Sequence, residues 1–303
     1  MSRQAIYIGG ATASGKSRIA LLVAERLGGE IISVDSMQVY RGMDIGTAKP
    51  SQEDRLRIPH HAIDIVDVDD PFDVARFIQE AERATLEIQE RGAVAIFCGG
   101  TGLYYQAYLE GLGEAPGHDL RLRAMLDQLS LDELNEELER TDPKMAERID
   151  RQNKRRLVRA VEVIRLTGKP FSEQRARWTG RSRIEEGESL ETGARLVVIR
   201  RSREELVRRI ENRVDRMFEQ GLVEETRVLM GKGLKSNPNA MQAIGYRQVV
   251  DHLTHGIALE ETKEKVKART RVYAKRQMTW LRKQSGVHWV DLSGDDAIEQ
   301  AGE

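Results

Sequence analysis

A chain of 303 residues can bury a sizeable core and allows one large domain or two smaller ones. With 32% of residues charged, a mean hydropathy of −0.52 and no run near the roughly 20 apolar residues of a membrane span, a membrane-embedded protein is excluded. One cysteine, Cys98, excludes an internal disulfide and a four-cysteine zinc site, so a reducing, cytoplasmic setting is expected; no signal peptide is expected ahead of the first strand.

In chain order, AIYIGG reads as a strand that runs into a glycine loop, and SRIALLVAERLG has helical periodicity and stops at glycine. EIISVDS is a second strand ending at Asp35, RFIQEAERATLEIQERG a second amphipathic helix, and AVAIFCGGTG a third β-rich run with turn glycines behind it. Helices between apolar strands imply a parallel sheet. From about residue 114 the pattern is helical without strands (DLRLRAMLDQL, LDELNEELERT, KRRLVRAVEVIRLTG), and RLVVIR at 195–200 returns to the sheet. The expected fold is α/β: a P-loop NTPase-like parallel sheet flanked by helices, with a mostly helical insertion domain. Its expected limits are residues 1–113 and 195–303 for the core and 114–194 for the insertion.

The stretch GGATASGKS fills the frame G-x-x-x-x-G-K-[ST] with Gly10, Gly15, Lys16 and Ser17. Between a strand and a helix, the backbone N–H groups of Gly10, Ala11, Thr12, Ala13, Ser14 and Gly15 can turn toward phosphate oxygens. Lys16 adds a point charge, and the Ser17 hydroxyl can ligate Mg²⁺. Asp35, at the C-terminal end of the second strand, falls on the same sheet edge, where open α/β folds bind ligands. Its carboxylate can ligate Mg²⁺ through water, accept a proton, or merely cap the following turn. Thr101, in GGTG at the end of the third strand, is likewise an orienting hydroxyl or a cap. His60 and His61 read as structural, since one Cys and no H-E-x-x-H make zinc improbable, and Cys98 reads as core.

The net charge of −1 conceals segregation: residues 151–183 sum to +9 and 263–283 to +8, which leaves −18 on the rest. Arg155 and Arg159 share one helix face while Leu157, Val161 and Ile164 form an apolar stripe. Lys263, Lys267, Arg271 and Lys275 repeat the four-residue spacing, with Val266, Thr270, Tyr273, Gln277 and Trp280 as the accompanying stripe. Such rows are solvated faces in most helices; two of them with this imbalance point to a polyanion surface.

Together GGATASGKS, DSMQVYRGMDIGTAKP, PHHAIDIVD, GGTGLYYQAYLEGL, RVDRMFEQGL, AIGYRQ and TRVYAKRQMTWLRK make the chain, from Ser2 to about Lys283, resemble the bacterial tRNA dimethylallyltransferase family. The departures are Ala11, where the family usually has proline, and Leu281, where an aromatic is frequent. The resemblance implies transfer of a dimethylallyl group from dimethylallyl diphosphate to the exocyclic amine of the adenosine just 3′ of the anticodon, with Mg²⁺ as cofactor. It implies that Asp35 accepts the amine's proton, Thr101 orients the reacting groups and contacts tRNA, and Arg213 joins the 10–17 loop on the diphosphate. It further implies tRNA contacts from Ser36, Met37, Gln38, Arg123, Arg155, Arg156, Arg159, Gln242, Gly245, Tyr246 and Arg247. The implied partners are the tRNA anticodon stem-loop and the prenyl diphosphate, no membrane, and a monomeric enzyme. Arg213 has a bland alternative as a surface helix arginine. A small-molecule or nucleotide kinase using ATP also accounts for the loop, Asp35 and the sheet, but not for the two basic blocks. A GTP switch is weaker still, because Asn153-Lys154 is followed by Arg155-Arg156 and not by the pattern N-K-x-D.

Overall fold

A computed structural model describes residues 5–112, 115–174 and 196–293. The elements run β1 Ile6–Gly10, α1 Lys16–Leu27, β2 Gly29–Val34, α2 Gln52–Arg57, β3 His60–His61, α3 Val74–Glu90, β4 Val94–Gly99 and α4 Gly102–Glu110. Next come α5 Leu120–Leu126, α6 Leu131–Thr141, α7 Pro143–Ala146, α8 Lys154–Thr167 and α9 Phe171–Gln174. The chain then forms β5 Leu196–Arg201, α10 Arg203–Glu219, α11 Leu222–Gly231, α12 Tyr246–His255, α13 Leu259–Leu281 and β6 Val287–Leu292. These divide into two compact units, Met1–Tyr108 with Ile184–Glu303, and Leu109–Arg183. The first border falls a few residues before the expected 114. The expected second border at 195, and Arg175, Arg177, Arg181 and Arg183 of the first basic block, lie outside the described residues.

In the first unit six strands pair in the order β3-β2-β4-β1-β5-β6, all parallel. Ile8, Ile31, Ile96 and Ile199 on the strands pack against Ile19, Ala20 and Ala24 of α1 in one buried cluster. A parallel sheet covered by helices buries its strands without alternation, which is why β2 and β4 are buried at every position. Because all strands run the same way, the segments after β1, β2, β4 and β5 emerge on one edge. That edge therefore collects the Gly10–Ser17 loop, Asp35 and Thr101.

The GGTG turn after β4 shows why small residues stand there. A Cβ on Gly102 would lie 2.3 Å from Cδ2 of Trp280 on α13. The turn is thus pressed against a helix some 180 residues later in the chain, and its glycine is a packing requirement.

In the second unit, Leu126, Leu134, Leu138, Leu157, Val161 and Ile164 form the core, so the apolar stripe read from α8 is buried as expected. Asn153 caps α8 by accepting from Arg156 N, and Gly168, at φ 68°, ends it.

Candidate active site

The 10–17 loop is shaped before any ligand arrives. Ala13 and Gly15 take left-handed φ values of 64° and 99°, and the first turn of α1 has no side-chain cap, so its leading amides stay available to an anion. The loop is held from outside by arginines: Arg201 Nε donates to Ser14 O at 2.8 Å, Arg209 Nε to Ala13 O at 2.9 Å, and Arg213 Nη1 to Thr12 Oγ1 at 3.2 Å. On another side Gln277 of α13 accepts from Thr12 N at 2.8 Å and donates to Gly100 O at 3.0 Å. Lys16 Nζ rests on Ala11 O at 3.3 Å.

A chamber of about 220 Å³ is lined by Thr12, Gly15, Lys16, Ser17, Asp35, Arg209 and Arg213 among others. Burial lowers the pKa of Lys16, with the Arg213 charge adding to it and Asp35 opposing. Burial likewise lowers that of Arg213, aided by Arg209 and Arg216. Two half-buried cations whose charges oppose each other gain most from an anion between them. Arg213 is therefore no surface arginine. Cys98 also lines this chamber and belongs to the core cluster; burial pushes its thiol up to about 11, so it stays protonated.

A second cleft of about 670 Å³ is lined by Asp35, Ser36, Met37, Gln242 and Arg247, together with residues of α10 and α13. The two spaces share Thr12, Asp35, Thr47, Ala48, Arg213 and Tyr273 as walls. Asp35 Oδ1 accepts from Met37 N at 2.8 Å and Gln38 N at 3.3 Å, while Oδ2 takes no hydrogen bond among the described residues. The carboxylate thus closes its own turn with one oxygen and keeps the other for the cavities.

Thr101 lines neither space. Its Oγ1 accepts from Ser36 N at 3.3 Å, and it contacts the hydroxyl of Tyr273, whose pKa is raised by burial and by the Asp35 charge. Its position is that of a brace behind Ser36 and Tyr273 and not of a wall of either cavity.

The residues expected to contact RNA separate into three sets. Ser36, Met37, Gln242 and Arg247 line the larger cleft. Gln38 lines the chamber but is engaged by Ser33 Oγ at 2.8 Å and by the carbonyls of Thr47 and Ala48. Gly245 caps α12, its N–H donating to Gln248 Oε1 at 2.9 Å. Tyr246 corrects the expectation: it is fully buried, donates to Glu225 and accepts from Gly46 N, so its task is to hold the 45–46 backbone.

Arg123 and Arg159 correct it too. Arg159 Nη1 and Arg123 Nη2 reach Glu162 Oε2 at 2.8 and 3.2 Å, and Arg159 Nη2 reaches Pro116 O at 2.6 Å. Glu162 is a fully buried acid that needs partners; its i,i+3 spacing from Arg159 is visible in the sequence, but its burial and its reach to Arg123 are not. Arg155 and Arg156 are exposed on α8.

The row Lys263, Lys267, Arg271 is not an open polyanion face either. Lys267 pairs with Asp215 at 2.8 Å and Arg271 with Glu211 at 2.7 Å, both acids belonging to α10, and Lys263 pairs with Glu260 at 2.7 Å. Sequence reading missed Arg209, Gln277 as a strut, and the cleft residues Arg269 and Arg276. The four-residue step from Arg209 to Arg213 was the available signal for the first.

A family model described as IPP transferase matches residues 38–284, and one described as isopentenyl transferase matches residues 3–59. A curated tRNA dimethylallyltransferase of Geobacter metallireducens is 47% identical over 294 residues, covering 95% of this chain and 93% of its own. The crystal structure of the full-length tRNA isopentenylpyrophosphate transferase of Bacillus halodurans is similar at TM-score 0.68 and 37% identity, covering 100% of this chain and 95% of that one. A eukaryotic dimethylallyltransferase acting on tRNA is similar at TM-score 0.77 and 30% identity, covering 96% of this chain and 74% of that one.

Proposed function

The chain belongs to the IPP transferase family of tRNA dimethylallyltransferases and is a tRNA prenyltransferase; from that premise we propose that dimethylallyl diphosphate is its donor and the exocyclic amine of the adenosine 3′-adjacent to the anticodon its acceptor. One observation carries this reading: Asp35 is a common wall of a cation-lined phosphate chamber and a larger cleft. A proton acceptor belongs where leaving group and nucleophile meet.

The reaction breaks the allylic C–O bond of the donor, forms a C–N bond to the amine, releases diphosphate, and passes one amine proton to Asp35. Lys16, Arg213 and the amides of the 10–17 loop stabilise the charge that grows on the diphosphate. The amine is a weak nucleophile because its lone pair is delocalised into the ring. A carboxylate oxygen accepting its hydrogen bond, and then its proton, raises its reactivity. Thr101 acts as a positioning residue through Ser36 and Tyr273. The target base must leave its stack to enter, so Ser36, Met37, Gln242 and Arg247 touch the RNA beside it, and Arg155 and Arg156 of the insertion meet phosphates.

Ser17 and Asp35 supply hard oxygen donors in the same chamber, which suits Mg²⁺ held by one or two protein oxygens plus substrate phosphates. When bound, the ion would neutralise charge on the departing diphosphate. The reading takes a monomer as the acting species, and a tRNA substrate supports a cytoplasmic setting.

Incubation of the protein and bulk tRNA with either labelled dimethylallyl diphosphate or γ-labelled ATP tests the reading. Label is expected in RNA from the first alone. Transfer that required ATP hydrolysis, or phosphate label in a small acceptor, would support the kinase reading instead.

A further inference from the structure

Residues 44–49 form a loop whose shape is fixed from several sides. Glu225 accepts from Ile45 N at 3.0 Å and, together with the Tyr246 hydroxyl, from Gly46 N. Gln38 Nε2 donates to the carbonyls of Thr47 and Ala48 at 3.2 and 3.3 Å, and the buried Lys49 Nζ donates to Tyr40 O at 2.7 Å. Within this frame Ala48 takes a left-handed φ of 50°. Glycine adopts that conformation freely and alanine does so at a cost, so the loop holds a methyl group where the backbone alone disfavours one.

That methyl stands at a junction. Among the described residues, Ala48 and Arg213 are the two that line the phosphate chamber, the larger cleft and a third space of about 720 Å³ bounded by Arg41, Asp44, Lys49, Arg55 and Arg216 among others. The chamber, at about 220 Å³, is smaller than the roughly 300 to 1,000 Å³ of most small-molecule sites, so it suits a short donor. With the diphosphate on Lys16, Arg213 and the 10–17 loop, and the reacting carbon beside Asp35, the hydrocarbon end falls among the remaining walls. Ala48 is the apolar wall that also bounds both neighbouring spaces, so a longer chain would have to leave the chamber past it.

We infer that Ala48 is a specificity-determining residue for the length of the donor: its methyl stops the end of a five-carbon prenyl group and keeps it short of the third space. The inference rests on the proposed reading that dimethylallyl diphosphate is the donor, and deepens it. Gln38, Glu225 and Tyr246 then act as positioning residues, because a wall limits length only if it does not yield to one more carbon.

The test compares dimethylallyl diphosphate with its homologue one methylene longer, 3-methylpent-2-enyl diphosphate, as donors to tRNA for the full-length protein. The wild type should favour the shorter donor by about 10- to 200-fold in kcat/KM, the range that one methylene is worth in a fitted pocket. Ala48→Gly removes the methyl and suits the left-handed backbone, so it should fold at least as well, and it should lower that preference about 10-fold or more. Ala48→Asn, a residue that tolerates positive φ, thickens the wall and should raise the KM for dimethylallyl diphosphate about 10-fold or more. Inhibition by inorganic diphosphate, which has no hydrocarbon end, should stay at the wild-type level in both variants. A wild type that used both donors equally, an unchanged preference in Ala48→Gly, or a loss of inorganic diphosphate inhibition in Ala48→Asn equal to its rise in KM would overturn the inference. If the wild type transferred neither prenyl group to tRNA, the donor reading beneath it would fall instead, so the two failures are distinguishable.

Discussion

At Asp35, two roles that a strand-end acid leaves open prove compatible, because a carboxylate has two oxygens. Oδ1 accepts from the amides of Met37 and Gln38, and Oδ2 remains for the cavities. Asp35→Asn retains an oxygen for the turn but not the basicity, so tRNA affinity should hold while the chemical step falls by about 10²-fold or more. Single-turnover transfer at saturating substrates reads this directly, and a near-normal rate would remove Asp35 as the proton acceptor. Lys16→Ala takes one of the two half-buried cations from the chamber and should weaken dimethylallyl diphosphate binding about 10- to 100-fold, measured by titration without RNA. Both positions were legible because their signal is local: a loop frame and a strand end. Tyr246 and Arg159 were not. Tyr246 depends on Glu225, which folding brings from another helix, and Arg159 on Glu162, three residues along α8; what sequence does not show is that Glu162 is buried, and a tyrosine or arginine bonded to such an acid looks in sequence like one that faces solvent.

At the scale of elements, the long central strands and α1, α3 and α8 declare themselves by apolar runs and periodicity, whereas β3 and β6 do not. β3 is a two-residue strand, His60–His61, below the length at which any period shows; it exists because β2 offers an edge and because His61 meets Glu30 at 2.6 Å. β6, VHWVDL, follows the second basic block and pairs with β5 along six residues, a long-range match that no local pattern announces. The same limit applies to the GGTG turn. Gly102→Ala would set a methyl against the Trp280 ring, so it should cost about 1–3 kcal/mol in a denaturant titration and also slow transfer, since Thr101 is its neighbour. Within the second unit, burial works to raise the pKa of Glu162, but its bonds to Arg159 and Asp119 N and the Arg123 charge outweigh this and hold it below the ordinary 4.5. A depressed carboxylate stabilises the fold above its unfolded pKa, and that contribution is lost as pH falls through the folded value. Glu162→Gln should therefore lose about 1–3 kcal/mol near neutral pH, and its melting curve should converge on the wild-type curve as the pH drops below about 4.5.

For the molecule as a whole, a net charge of −1 is the sum of parts with different duties, and the sign of a segment does not reveal its duty. Much of the first basic block is spent inside its own unit: Arg151 on Glu139, Lys154 on Asp127 O, Arg159 on Glu162 and Arg165 on Glu137. Arg156 is exposed and enters no ion pair among the described residues, which makes it the sharper probe of whether the helical unit docks RNA. If it does, Arg156→Ala should remove one phosphate contact, lowering the salt slope of tRNA binding by about 0.7 to 0.9. The KM for tRNA should rise while kcat at saturation stays close to wild type, because Asp35 and the phosphate chamber belong to the other unit. Arg159→Ala should behave differently, reducing thermal stability because buried Glu162 loses its bond to Arg159 and keeps those to Arg123 and Asp119 N, and affecting RNA binding only as folding suffers. Measuring both variants for melting temperature, salt slope and steady-state kinetics separates docking from support. Should Arg156→Ala keep the wild-type slope and KM, the exposed basic face of α8 would be a solvated one.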